Sequence, residues 1–337
     1  MIWTNIFKLP EPFASLVSED LYNEERHKQL LAYCQLNKLS VDDVVHFSAS
    51  DLIKPPRMRV LVRRHWDEII SDVASHTYRI LGTAVHTCLR LSSQRMSQRG
   101  VSGYIAEERI FTHMVVKGQM VVVSGEPDLI TPDGWIHDYK VAAVQSLENG
   151  VKLEWEQATN IYAWLRSLMG LPTAGILITF ILRDWRQSQA VQEGYPPAGV
   201  QSVEAKLWSR DEAKDYVMSR LHLHLEAQEL ADDDLPECSA YEMWEKPEAW
   251  AVIREGGARA AKLYKGEDFP LLTHREVVLA AANADADIRN KKPAKKGEKP
   301  YLVVHRPGER TRCQSFCDAR QSCNLYKEYA SVAFGGN

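Results

Sequence analysis

Gly125-Glu126-Pro127-Asp128-Leu129-Ile130-Thr131-Pro132-Asp133-Gly134-Trp135-Ile136-His137-Asp138-Tyr139-Lys140 holds the residues on which the fold and its chemistry turn. Pro132-Asp133-Gly134 is turn chemistry between two apolar runs, so a hairpin is expected there. Side chains two apart on a strand share a face, so Asp138 and Lys140 project together while Tyr139 points away. Closing the hairpin brings Asp128 alongside them. Two carboxylates on rigid strands offer hard oxygen ligands for Mg²⁺ or Mn²⁺. An ammonium beside them can position a water near a phosphate and stabilise the charge that develops. An Asp and a Lys on a solvated edge strand give the same D-x-K pattern by chance, so the surrounding sequence has to discriminate.

Working outward, residues 108–116 and 119–130 are β-branched and apolar, and Lys117-Gly118 between them suits a tight antiparallel reversal. Upstream, residues 76–98 read as a helix bearing Gly82-Thr83-Ala84-Val85-His86. Gly82 permits a close approach, and a neutral His86 one turn on offers a nitrogen ligand. Ala106-Glu107-Glu108 follows. Downstream, the segment Glu154–Gly170 reads as a helix stopped by its glycine. Residues 174–185 form a nearly continuous apolar run, as expected at the centre of a sheet. A further helix spans 209–231, with Ser209 at its start and Asp211 and Glu212 in its first turn. Residues 1–45 read as a helical N-terminal segment. His46-Phe47-Ser48-Ala49-Ser50-Asp51-Leu52 reads as a loop into a helix capped by Ser48 or Ser50. After Asp232-Asp233-Asp234 the composition turns irregular, with one short helix at 272–290. The expected architecture is α/β, with a mixed central sheet flanked by helices over 46–231. The helical segment 1–45 precedes it, and a C-terminal region at 232–337 follows.

The chain has 337 residues, 45% of them hydrophobic, enough for a substantial core. No run of roughly 18 apolar residues exists, and the N-terminus lacks a basic start followed by an apolar stretch. A cytoplasmic protein, host-cytoplasmic if phage-encoded, is the expectation, with no membrane partner. Net charge is −4, yet a local basic strip can bind phosphates on an acidic protein. The richest such strip is Arg289–Lys299; a solvated loop accounts for it equally well. The nine tryptophans offer stacking surfaces for unpaired bases, although core and rim positions also use them.

The order G-x-x-x-H (Gly82 to His86), then Glu, then G-x-x-D (Gly125 to Asp128), then D-x-K (Asp138 to Lys140) resembles the RecB-like branch of the PD-(D/E)XK nuclease superfamily. That branch includes AddB-type and CRISPR-adaptation nucleases and stand-alone phage exonucleases. The resemblance spans roughly residues 46–185. It implies a restriction-endonuclease-like core, with metal bound by His86, Asp128, Asp138 and the main-chain carbonyl of Tyr139, and with Lys140 catalytic. Either Glu107 or Glu108 matches the family glutamate. The family helix after D-x-K carries Gln followed four residues later by Tyr. Here Tyr162 is preceded at that distance by Ala158, and Gln157 stands one position earlier, about 100° around the helix.

Six cysteines occur, three of them, Cys313, Cys317 and Cys323, within the last 25 residues. In a cytosolic chain such clustering more often holds a metal than disulfides. The spacing leaves structural zinc and iron–sulfur both open. The resemblance implies a [4Fe–4S] cluster. Relatives take the fourth ligand from a cysteine before the nuclease motifs, where this chain has Pro55-Pro56-Arg57, so Cys238 is the substitute. Cys34 and Cys88 read as core thiols. The activity expected is a Mg²⁺- or Mn²⁺-dependent deoxyribonuclease, an exonuclease by resemblance, acting in DNA processing, recombination or phage replication. With no G-x-x-x-x-G-K-[ST] loop, unwinding would need a helicase or recombination partner. The alternatives are a non-catalytic DNA-binding or assembly module that kept the fold, and a nuclease directed at RNA.

Overall fold

The computed structural model describes residues 1–18, 21–257, 259–265, 275–292 and 298–334. The chain is mixed α/β and divides into two compact units, Met1–Ala231 and Asp232–Asn337. Unit 1 begins with strand β1 (Ile2–Thr4) and helices α1 (Glu11–Ser18) and α2 (Leu21–Leu36). Strand β2 (Val44–Ser48), helices α3 (Ala49–Leu52) and α4 (Pro56–Arg64), strand β3 (Ile70–Asp72) and the long helix α5 (Thr77–Gln98) follow. The remainder is β4 (Ile110–Val116), β5 (Gln119–Gly125), β6 (Leu129–Ile130), β7 (Trp135–Ala142), α6 (Val144–Glu148), α7 (Leu153–Leu168), β8 (Gly175–Leu182), β9 (Val200–Ala205) and α8 (Arg210–Gln228).

Two sheets form the frame, ordered β2-β5-β4 and β6-β7-β8-β9, with both parallel and antiparallel pairs in each. A bridge between Ile105 and Ile130 connects the entry to the first sheet with the edge of the second. Lys117 (φ 50°) and Gly118 (φ 78°) close the β4–β5 reversal with two left-handed residues, the twist a tight hairpin requires. Strand β8 lies between β7 and β9, and Ile176, Ile178 and Phe180 are fully buried there. Helix α7 lies across both sheets. Its Ile161, Trp164 and Leu165 join Val121 and Val123, while Ala163 meets Ile136, Ile176 and Ile178. Each fully buried aliphatic side chain contributes about 1.5–3 kcal/mol. Helix α8 covers α7 through Val217 and Leu221, and its start is a capping box between Ser209 and Glu212.

Several expectations need correction. Residues 1–45 are not wholly helical, because Ile2–Thr4 pairs in parallel with Ile70–Asp72. His46-Phe47-Ser48 is the end of strand β2, not a loop; Phe47 is buried beside Val123, and that burial holds the segment extended. Ser48 caps α3 through a box with Asp51, and Ser50 only bonds to the Ser48 hydroxyl. The run 119–130 breaks into β5 and β6 at Glu126-Pro127-Asp128, where proline removes a ladder donor. Among the described residues nothing lies within 4 Å of a Cβ built at Gly82, so none of the described elements makes the close approach anticipated there. Cys88 is exposed, since that side of α5 faces solvent, whereas Cys34 is buried beside Leu30 and Val122.

Unit 2 holds β10 (Glu245–Lys246), β11 (Ala249–Arg254), β12 (Ala260–Lys265), α9 (Arg275–Asn290), β13 (Tyr301–Arg306), β14 (Glu309–Arg310), α10 (Thr311–Ser315) and α11 (Asn324–Phe334). Helix α9 packs Val278, Ala282 and Ala286 onto Trp250, Val252 and Tyr264 of the sheet β12-β11-β13. This sheet has no counterpart in the sequence expectations. Of the basic strip 289–299, residues 293–297 lie outside the described residues. Among the described residues no helix is long and apolar enough to cross a membrane.

Candidate active site

The hairpin register sets Leu129 opposite His137 and Ile130 opposite Ile136. Asp128, one residue before β6, therefore comes level with Asp138. Its Oδ2 accepts a hydrogen bond from the Tyr139 N–H at 2.6 Å. Gly125 makes this approach possible. A Cβ there would lie 2.6 Å from Tyr162 Cδ1 and 2.9 Å from Leu165 Cδ1, so only glycine lets β5 run against α7 at that point. Tyr162 thus packs on the strand end that leads to Asp128.

Asp138 and Lys140 share a face of β7, and Lys140 Nζ lies 2.6 Å from Asp138 Oδ2. The contact is a close ion pair without hydrogen-bond alignment, and Asp138 Oδ2 is buried with no aligned partner. Burial raises the Asp138 carboxyl, and Asp128 adds to the rise against the lowering pull of Lys140. Burial alone would lower Lys140, but Asp138 and Asp128 outweigh it and hold the ammonium charged. Trp155 of α7 flanks this amine, its ring centroid 6.0 Å from Lys140 Nζ and 5.0 Å from Lys152 Nζ.

Helix α5 supplies His86, whose Nδ1 is 3.3 Å from Asp128 Oδ1 and 3.7 Å from Glu107 Oε1. The hydrogen bond to Asp128 raises the imidazole, with burial opposing and the Asp128 charge assisting. Glu107 and Glu108, left undivided by their spacing, differ in the fold. Glu107 adopts a left-handed backbone (φ 52°) that turns its carboxylate onto His86 and onto Arg90, whose Nε is 3.1 Å from Oε2. Glu108 is exposed. Burial raises the Glu107 carboxyl, countered by His86 and Arg90. Gln157 is half-buried on α7. Glu156, which could have kept the site polar, accepts instead from the Trp208 indole at 2.7 Å and so serves packing.

The donor set of two carboxylates, an imidazole and a main-chain carbonyl is the chemistry of a hard divalent cation, and the buried Asp138 oxygen is the kind of acceptor a cation satisfies. Among the described residues, however, no group of three or more His, Cys, Asp or Glu side chains is arranged to hold a metal ion. Each carboxylate instead has a partner within the protein: Asp128 accepts from the Tyr139 N–H and faces His86, and Asp138 is ion-paired with Lys140.

Arg90 and Trp155 were not anticipated. Arg90 was legible in principle, since it stands four residues after His86 on the same helix face. A second unanticipated pair is Arg109 and Glu126, in direct contact and nearly buried. Arg109 also donates to Ser124 Oγ at 3.3 Å and Gln29 Oε1 at 3.0 Å, tying β4, β5 and α2 together beside the hairpin.

In unit 2, Cys313 lies on α10, Cys317 just beyond it and Cys323 immediately before α11. Burial pushes the Cys238 thiol up to about 12, and the proximity of Glu242, Cys313, Cys317 and Cys323 adds to it. Cys317 is likewise pushed up to about 12, first by burial. All four thiols are free of disulfides, and among the described residues no three of them are arranged to hold a metal ion. A cavity of about 400 Å³ opens beside Cys238, lined by Met243, Arg310, Leu325 and Tyr329 among others.

No family model and no curated protein matches the chain. A solved structure described as the crystal structure of SSO0001 matches at 15% identity and a TM-score of 0.37, covering 60% of this chain and 86% of that one. Likeness at that level carries no argument here.

Proposed function

We propose that the chain is a divalent-metal-dependent deoxyribonuclease built on a restriction-endonuclease-like core, with exonuclease action the favoured mode. One observation carries the reading: helix α5, the left-handed bend at Glu107 and the β6–β7 hairpin bring His86 against Glu107 and Asp128, with Asp138 and Lys140 paired on the neighbouring strand. Asp128, Asp138, His86 and the Tyr139 carbonyl are the residues that would hold Mg²⁺ or Mn²⁺. When bound, such an ion would supply Lewis-acid polarisation of a phosphoryl oxygen and a more acidic water. Lys140, kept charged by its two carboxylates, orients the attacking water and steadies negative charge on the phosphate. Arg90 holds Glu107, and Glu107 in turn faces His86, fixing the imidazole. Tyr162, packed against Gly125, supports the strand end that leads to Asp128.

The four cysteines of unit 2 would supply the sulfur donors of a [4Fe–4S] cluster, with structural zinc the alternative of the same donor set. Either would staple the tail and take no part in hydrolysis. A helicase or recombination protein would supply unwinding.

A second reading, a non-catalytic DNA-binding or assembly module, is favoured by one feature, the occupation of Asp128 by a main-chain N–H and the pairing of Asp138 with Lys140. A panel of end-labelled linear duplex, circular duplex, single-stranded DNA and matched RNA, each with Mg²⁺ or Mn²⁺, separates the readings. Metal-dependent release of labelled DNA products supports the nuclease. DNA binding without hydrolysis in any metal supports the module, and preference for the RNA strand redirects the substrate.

A further inference from the structure

Between Asp72 and Glu107 the sequence contains Arg79, Arg90, Arg95 and Arg99 and no acidic residue. Most of this stretch is α5. Arg79, His86 and Arg90 are spaced by seven and four, which aligns them along one side of the helix. Since His86 faces Asp128 and Arg90 reaches Glu107, that line runs past the candidate site with an arginine before it and another after it. At the N-terminal end of α5, Tyr78 is 64% exposed. The Arg183 guanidinium lies 4.4 Å from its ring centroid. Arg183 follows β8, and its N–H donates to the Ala142 carbonyl at the end of β7. Because β7 and β8 run parallel, the Tyr78–Arg183 pair sits at the same strand ends toward which Lys140 lies. Eight residues at 1.5 Å each separate Tyr78 from His86 by about 12 Å along the helix.

A mostly solvated tyrosine backed by a guanidinium adds little to folding, but it offers what an unpaired base stacks on. Acidic groups along this track are engaged by the protein: Asp184, next to Arg183, accepts from the Val144 N–H, Asp128 faces His86 and accepts from the Tyr139 N–H, and Glu107 is held by Arg90 and His86. We propose that α5 tracks the backbone of a single nucleic-acid strand, and that a base stacks on Tyr78 beside Arg183. At about 3.4 Å per stacked nucleotide, that base stands roughly three to four nucleotides from the scissile phosphate. The pair thereby sets which bond reaches Lys140. This inference rests on the nuclease reading and adds to it a single-strand register.

The test uses the full chain and a fluorescein-labelled thymidine oligomer of roughly 20 nucleotides, bound in EDTA and followed by anisotropy, then cleaved in Mn²⁺ with products sized. Tyr78→Ala raises Kd by about 5- to 150-fold and blurs the product lengths, while Tyr78→Trp keeps both near wild type. Arg79→Ala lowers the slope of log K against log salt by about 0.7. Wild-type binding and cleavage with Tyr78→Ala indistinguishable in Kd and product lengths would overturn the proposal alone. Equal loss in Tyr78→Ala and Tyr78→Trp would do the same, because the tryptophan keeps a stacking face. A wild-type chain that neither binds nor cuts the oligomer overturns the proposal together with the reading beneath it.

Discussion

Gly125→Ala is the substitution whose effect follows most directly from the geometry. The added methyl would sit 2.6 Å from Tyr162 Cδ1, 2.9 Å from Leu165 Cδ1 and 3.0 Å from Tyr162 Cε1. Real carbon contacts lie near 3.5–4.0 Å, so roughly an ångström of displacement is required. Leu165 is only 1% exposed and cannot retreat into solvent. Overpacking of this kind costs about 1–3 kcal/mol, and the absence of an escape route places this case near the upper end. For a body of this size that lowers Tm by roughly 2–4 °C per kcal/mol, so about 5–10 °C in total. Urea midpoints at unchanged m-value give the same quantity independently. Removing the obstacle should recover part of it. In a cycle with Tyr162→Ala, the double variant should be more stable than the sum of the singles by about 1 kcal/mol or more. Gly125 also leads into Asp128, so cleavage should fall beyond what the loss of folded protein accounts for. A Gly125→Ala chain within about 0.5 kcal/mol of wild type, or a strictly additive cycle, would refute the close-approach argument.

Two further outcomes are expected. Burial, aided by nearby arginines, lowers His46 to about 4 and His224 to about 3 from 6.5. Below pH 6.5 the unfolded chain therefore binds more protons, and unit 1 loses stability as pH falls. From pH 7 to 5 each histidine contributes about 2 kcal/mol of loss, partly offset by Asp138, Glu107 and His86, whose raised values act in the opposite direction. Urea midpoints should fall across that window, and fall less in His224→Phe; a flat or rising midpoint would contradict the burial argument. For the thiols, anaerobically purified protein should carry iron and sulfide with broad visible absorbance, and Cys317→Ser should lose both. Colourless protein with one zinc would leave the four-sulfur site but end the iron assignment.

The elements most legible in the sequence are those whose local pattern and burial agree. The β4–β5 reversal needed two left-handed residues, and Lys117-Gly118 announced it. The run 174–185 could bury both faces only at a sheet centre. Strand β2 is hidden in the sequence because Ser48, Ser50 and Asp51 look like loop residues; what extends His46-Phe47-Ser48 is a partner, Val122-Val123-Ser124, some 75 residues away. The β11-β12-β13 sheet was illegible for a similar reason, since Trp250 and Val252 declare a face only when α9 covers them. At the candidate site the D-x-K spacing fixed the common face of Asp138 and Lys140. The choice between Glu107 and Glu108 could not be read, because it depends on one left-handed backbone angle at a non-glycine residue. The Arg109–Glu126 contact carries no sequence signal because neither residue belongs to a pattern; they meet only through the pairing of β4 and β5.

Single-turnover cleavage of an end-labelled single strand in Mn²⁺, by wild type, Asp138→Asn and Lys140→Met, bears most directly on the central claim. Circular dichroism on the same samples accounts for folding. The arrangement of Asp128, Asp138 and Lys140 requires that both variants remain folded and cut at least about 100-fold more slowly. Wild-type rates in either folded variant would show that hydrolysis, if present, does not pass through this hairpin.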